Sequence, residues 1–154
     1  MANIKNAHAA KATVTITLTS LANGSAREST VIDNTSSLYR DYLLRVKTKG
    51  AASSSSVVNV YAYAALGDTT YSDGATGSDA AFTAANRLNS VLVGSVVLNA
   101  ANSVTSLVGS VARAFGGTLP DKFGFIFVNN SGDALSGTGG DHVVEVQGVY
   151  QTIS

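Results

Sequence analysis

The stretch Val57-Val-Asn-Val-Tyr-Ala-Tyr-Ala64 has the composition and the alternation of a β-strand, and it decides the fold class. Its β-branched and aromatic residues are those that strands favour. The alternation places Asn59, Tyr61 and Tyr63 on one face and only apolar residues on the other. If the tyrosine face points outward, Tyr61 and Tyr63 form a patch for a glycan or for a neighbouring subunit.

The same pattern returns on both sides of this stretch. Further strands are predicted in residues 12–18, 38–48, 91–98, 104–111, 123–128 and 142–151. The small residues of Gly50–Ser56 predict the tip of an exposed hairpin. Leu107, Val111 and Phe115 recur at the spacing of a helix, but the Gly, Val and Thr content around them favours a strand.

Many short strands, joined by connections rich in Gly, Asn and Ser, predict an all-β protein. A length of 154 residues fits one domain. We therefore predict a single-domain β-sandwich of jelly-roll type with an extended N-terminal segment. Residues 1–20 would be an N-terminal arm or the first strand, and residues 21–154 would be the sandwich.

The composition favours association with other protein chains. Only 13% of the residues are charged, and ten basic and ten acidic residues give a net charge of zero. Such a surface neither repels further copies nor attracts nucleic acid over a distance. The sequence has no secretory signal pattern and no run of about eighteen apolar residues that a membrane span requires. We expect a homo-oligomer that binds neither nucleic acid nor membrane.

The residues needed for catalysis are few. The chain has no cysteine and two histidines, His8 and His142, of which His142 follows Asp141. A serine hydrolase site built on His142 would need a partner nucleophile, but no G-x-S-x-G elbow accompanies it. A solvated turn explains the Asp-His pair more simply, so we predict that the protein is not an enzyme.

The segment Gly67–Asp79 carries several aspartates and glycines in the longest irregular part of the chain. Carboxylates and carbonyls are ligands that Ca²⁺ prefers, but the spacing departs from that of an EF-hand and the closing Glu is missing. An ordinary loop with Asx turns is the simpler interpretation. We predict no metal and no other cofactor.

Two segments are candidate protein interfaces. In Ala12-Thr-Val-Thr-Ile-Thr-Leu18, three apolar side chains share one face: Val14, Ile16 and Leu18. This segment is either the first strand of the protein's own sheet or an arm that adds a strand to a neighbouring protein. Arg45 and Lys47 belong to a basic cluster with Arg40 and Lys49, which predicts a charged edge strand or salt bridges between subunits more readily than a phosphate site.

Several stretches together resemble small structural proteins of tailed-bacteriophage virions. They are residues 40–49, 57–63, 71–77, 114–124, 128–136 and 148–150. The resemblance runs from about Leu38 to Tyr150, and it carries no catalytic signature. It implies a capsid decoration (cement) protein that binds the major capsid protein as a trimer on the capsid surface, after assembly in the host cytoplasm.

Two other functions remain open. A carbohydrate- or receptor-binding module of a tail fibre or spike would use Tyr61, Tyr63 and the Gly67–Asp79 loop. A small hydrolase would use His142. The first would bind glycans, and the second would lose an activity on substitution of His142.

Overall fold

The computed structural model describes residues 3–50, 57–98 and 102–153. They form two antiparallel β-sheets packed together, so the prediction of an all-β sandwich is confirmed. The jelly-roll form is not confirmed. The first sheet has the strand order β1-β10-β4-β8, where β1 is Ile4–Thr13, β4 is Asp41–Thr48, β8 is Val104–Ser110 and β10 is Val143–Ile153.

The second sheet has the order β6-β2-β9-β5-β7, with the short β3 beside β9. Its strands are β2 (Ala26–Glu28), β3 (Ile32–Asp33), β5 (Val57–Ala65), β6 (Ala80–Phe82), β7 (Val91–Val97) and β9 (Lys122–Asn130). One short helix, α1, comprises Val111–Ala114, and single turns of 3-10 helix lie at Ser72–Gly74, Ala84–Asn86 and Gly139–Asp141.

The core between the sheets is formed largely by alternate residues of β4, β5, β9 and β10, because successive side chains of a strand point to opposite faces. Its fully buried members on three of these strands are Leu44 and Val46 of β4, Val58, Val60 and Ala62 of β5, and Phe123, Phe125 and Phe127 of β9. Burial of each of the leucine, valine and phenylalanine side chains stabilises the fold by about 1.5–3 kcal/mol. The two faces predicted for residues 57–64 are thereby confirmed, and the apolar one points into this core.

A second, smaller core lies on the other side of the second sheet. Tyr63, Ile126 and Val128 point away from the first sheet, yet they are buried. Residues 66–90, which we call the covering loop and which include the short edge strand β6, pack over them and bring the ring of Tyr71 to 5.5 Å from that of Tyr63. The chain therefore covers part of the outer side of its own second sheet, whereas Leu92 and Val97 of β7 stay 53% and 63% exposed on that side.

The first strand lies earlier than predicted. β1 ends at Thr13 and pairs with β10 of the same chain, whereas the prediction placed a strand at residues 12–18. The amide of Val14 still donates to the carbonyl of Val144, but the carbonyl of Thr15 already accepts from Thr30, beside the second sheet. Residues 14–18 cross from one sheet to the other, and so they do not continue a ladder.

The segment around residue 50 is not the tip of a two-stranded hairpin. β4 pairs with β8 and β10 in the first sheet, whereas β5 pairs with β7 and β9 in the second. The connection therefore joins the two sheets, and its residues 51–56 lie outside the described part of the chain. The strand predicted in residues 104–111 is confirmed, and the helix begins only at Val111.

Candidate binding face

The side of the first sheet that points away from the core is open from β1 to β8. We call it the outer face. Its side chains are Ile4, Asn6, His8, Lys11 and Thr13 of β1; Val143, Glu145, Gln147, Val149, Gln151 and Ile153 of β10; Asp41, Leu43, Arg45 and Lys47 of β4; and Thr105, Leu107 and Ser110 of β8. All of them are exposed or half-buried, whereas Tyr63, Ile126 and Val128 on the outer side of the second sheet are buried.

Charged side chains cross the middle of the outer face. Glu145 of β10 accepts hydrogen bonds from Lys11 of β1, at 3.1 Å, and from Arg45 of β4. The hydrogen bonds from Arg45 and then Lys11 hold the pKa of Glu145 below its usual range. These pairs lie in solvent, so they stabilise the fold only slightly, but they link three neighbouring strands in one register.

The outer face continues into a two-stranded ribbon. β4 pairs with β10 only as far as Val149, so the last residues of β10 pair with β1 alone. The ribbon ends in Ile4 and Ile153, which lie opposite each other and are 67% and 76% exposed. The other edge of β1 has no partner strand within the described residues. The two isoleucines thus form a small exposed apolar patch at the end of the ribbon.

The structure corrects the predicted interface at three residues. Val14 and Leu18 are 5% and 1% exposed and belong to the core between the sheets, and Ile16 is half-buried against the same core. Tyr63 is 0% exposed, because the covering loop packs on it. Val14, Leu18 and Tyr63 therefore offer no surface to a partner. Apolar residues do alternate at residues 14–18, but they belong to a connection that passes between the two sheets.

The remaining predicted residues lie on two separate surfaces. Tyr61 is half-buried on the second sheet, where the guanidinium carbon of Arg87 lies 4.8 Å from the centre of its ring. Arg45 and Lys47 lie on the outer face of the first sheet. Their strand, β4, lies inside the sheet, so the prediction of a charged edge strand is wrong. Lys47 donates to the carbonyl of Gly140 at 2.8 Å, within the same chain.

His142 is fixed in a turn by neutral partners. Its Nδ1 lies 2.9 Å from the hydroxyl of Thr48, and its Nε2 lies 2.9 Å from the carbonyl oxygen of Ser136. The carboxylate of Asp141 accepts from the hydroxyls of Ser103 and Ser136, and the bond from Ser136 is the main reason that its pKa is lowered. Because a carbonyl only accepts, Nε2 donates to the oxygen of Ser136. The hydrogen bonds of Asp141 and His142 therefore stabilise a turn of the main chain.

The aspartates of the Gly67–Asp79 segment bind separate parts of the chain. Asp68 accepts from the amide of Thr70, and Asp73 accepts from the amide and the hydroxyl of Ser90. Asp79 accepts from both the amide and hydroxyl of Thr17, at 3.0 and 2.6 Å, and from Arg27. No cluster of three potential metal ligands occurs in the described residues. Asp79 therefore attaches the covering loop to the sandwich, whereas Asp68 and Asp73 bind residues within the loop itself.

The outer face, with its adjoining ribbon, is the surface that sequence reasoning missed as a unit. Alternation in residues 142–151 predicted the strand, but only the strand order shows that β10 lies between β1 and β4.

None of the helices in residues 3–50, 57–98 and 102–153 is long and apolar enough to cross a bilayer. Comparison with known proteins gave no matching family model, no matching curated protein and no matching solved structure.

Proposed function

We propose that this protein is a structural component of a bacteriophage particle, a head decoration protein that binds the major capsid protein through its outer face. The observation that supports this most is the difference between the two sheets. The chain covers the outer side of the second sheet over β2, β9 and the end of β5 with residues 66–90, but it leaves the outer face of the first sheet open across all four strands. A face of that kind suits burial against another protein.

The chemistry of the outer face fits a protein partner. Leu107 is 66% exposed there, and Leu43 and Val149 are half-buried, so apolar area remains to be buried. Three of the charged groups, on Lys11, Arg45 and Glu145, already pair with each other. Paired charges need no new partner when another protein covers them, which lowers the cost of desolvation.

As a decoration protein, the chain would act on the capsid surface after assembly in the host cytoplasm, and it would form trimers. The net charge of zero supports close packing of several copies, because no long-range repulsion separates them. The mechanism is burial of subunit surface, without a chemical step.

The carbohydrate-binding alternative has lost its main support. Tyr63 is buried, Tyr61 is half-buried beside Arg87, and the aspartates of the covering loop are bonded within the chain. An open stacking platform for a sugar ring is therefore missing at the predicted tyrosines.

The test is to measure the mass of the purified protein by light scattering, alone and after mixing with expanded heads that lack it. Stoichiometric uptake by the heads, with a raised melting temperature of the particles, is the expected result. A protein that stays free beside the heads contradicts the proposal, and binding to a glycan array in the same preparation would favour the tail module.

A further inference from the structure

An open groove of about 640 Å³ lies at one end of the outer face, beside α1. Arg40, which precedes β4, and Arg113 of α1 both line it. Val149 of β10 also lines it, so the groove is continuous with the outer face. The turn Gly116–Gly117 forms another part of its wall.

Neither of the two cations that line the groove is held by an acceptor of the protein within the described residues, whereas most of the other cations are. Cations that are held by the protein itself are Lys11 and Arg45 by Glu145, Arg27 by Asp79, Lys122 by Asp33, Lys47 by the carbonyl of Gly140, and Arg87 by the carbonyl of Ala84. Within the described ranges, the guanidinium groups of Arg40 and Arg113 donate no hydrogen bond and lie within ion-pair distance of no carboxylate. Both side chains are exposed.

The other walls of the groove leave these guanidinium groups free for a ligand. Asp41 also lines the groove, but its carboxylate accepts from the amides of Tyr42, at 2.7 Å, and Ala112, at 2.8 Å. Gly116 and Gly117 have φ angles of 77° and 104°, and a Cβ added to either would meet no atom within 4 Å. The main chain on that side is therefore open to an approaching chain.

We propose that this groove binds an acidic segment of the partner protein, with side-chain carboxylates held by Arg40 and Arg113. The planar guanidinium group donates two parallel hydrogen bonds to a carboxylate, which gives both strength and orientation. The proposal rests on the proposed function, because the groove adjoins the outer face and a partner bound to that face would extend into it.

A protein segment fits the groove better than nucleic acid does. Two cations beside Asp41 neutralise too few phosphates for sequence-independent binding, which depends on releasing many counterions. The net charge of zero adds no long-range attraction to a polyanion. A short segment with one or two carboxylates needs neither.

The test in solution is a titration of the ¹⁵N-labelled protein with a capped tetraglutamate peptide, followed at the amides of Gly116 and Gly117. A tetraglutamine peptide is the matched ligand control. We expect saturable shifts with tetraglutamate, and an affinity at least about ten-fold lower for the double variant Arg40→Gln/Arg113→Gln. Arg87→Gln removes an equal charge on the other sheet and should bind like the wild type. Arg113→Lys keeps the charge but loses the two-pronged geometry, so it should bind at an intermediate strength.

Several outcomes would overturn the groove proposal. Shifts that are absent, or equal in the double variant, show that the arginines bind no carboxylate. Tighter binding of an oligothymidylate at the same amides assigns the groove to nucleic acid. A smaller mass of the double variant in light scattering assigns it to a second copy of the chain.

Mixing the double variant with heads separates this proposal from the proposed function. We expect the double variant to bind heads at least about ten-fold more weakly than the wild type does. If the wild type binds heads and the double variant binds equally well, the groove proposal fails and the proposed function stands. If the wild type itself does not bind heads, the proposed function fails, whatever the peptide titration shows.

Discussion

At the scale of single residues, Tyr63 joins the second sheet to the segment between β2 and β3. Its hydroxyl donates to the carbonyl of Ser29 at 2.7 Å, in a buried position, and burial is the main reason that its pKa is raised. Removing the hydroxyl leaves a buried acceptor without its donor. We expect Tyr63→Phe to lower the free energy of unfolding by about 1–3 kcal/mol in urea denaturation.

Tyr61→Phe is the matched control for this prediction, since Tyr61 lies on the same strand and the same side of the sheet but is only half-buried. Its unfolding free energy should change by less than about 0.5 kcal/mol. Equal effects of the two substitutions would show that the hydrogen bond to Ser29 contributes nothing specific.

Gly148 of β10 is required because an aromatic ring occupies the place of its side chain. A Cβ at this position would collide with the ring of Tyr39, which also contacts the rings of Tyr42 and Tyr150. We expect Gly148→Ala to destabilise the protein by about 1–3 kcal/mol, because the packed rings must move. Thermal unfolding measures this, with Gly140→Ala as the control, since a Cβ there meets no atom within 4 Å. A stable Gly148→Ala protein would contradict this packing.

At the scale of elements, the covering loop depends on ionised aspartates. Desolvation, the largest single influence, raises the pKa of Asp79, but hydrogen bonds from Arg27 and Thr17 together outweigh it, so the pKa lies below its usual value. In the same way, the bonds from Ser90 and Asn89 outweigh desolvation at Asp73. A lowered pKa contributes stability that is present above the ordinary aspartate value of about 3.9 and is lost as the pH falls through the folded value.

We therefore expect the free energy of unfolding to fall as the pH drops below about 4, and to fall less steeply for Asp79→Asn. This variant should also lose about 1 kcal/mol at about pH 7, because it no longer binds Arg27 as a charge. Asp68→Asn is the control within the same loop, since Asp68 is exposed and accepts only from Thr70. The measurement is urea denaturation across the acid range. A pH dependence that is identical for Asp79→Asn and the wild type would refute this role.

The strands also show which features of the fold sequence patterns can predict. Sequence patterns predicted β4, β5, β7, β8, β9 and β10 because each has at least one face in a core, and a run or an alternation of apolar residues can be seen within a single segment. It could not show that β4 lies inside its sheet or that Tyr63 is covered, since both depend on residues distant in sequence. β1 was placed too late because most of its residues are exposed, so no apolar alternation marks it. The groove was also missed, because the two arginines that line it, Arg40 and Arg113, are distant in sequence.

At the scale of the whole molecule, the outer face should be the surface through which the protein binds heads. Leu107 is exposed on that face and Leu88 is 83% exposed in the covering loop, so the two leucines form a matched pair. We expect Leu107→Gln to weaken the binding of heads about ten-fold or more, because burial of a leucine contributes about 1.5–3 kcal/mol. Leu88→Gln should bind like the wild type. Sedimentation of heads with each variant measures this, and the reverse order of effects would place the interface on the other sheet.

The position of the covering loop has a practical consequence for engineering. It lies on the side of the sandwich opposite to the outer face, and its residues 66–70 are all exposed. A protein held to a particle by its first sheet would turn this loop toward the surrounding medium. A peptide tag spliced into residues 66–70 would then be displayed in many copies on each particle, within reach of an antibody and without touching the shell.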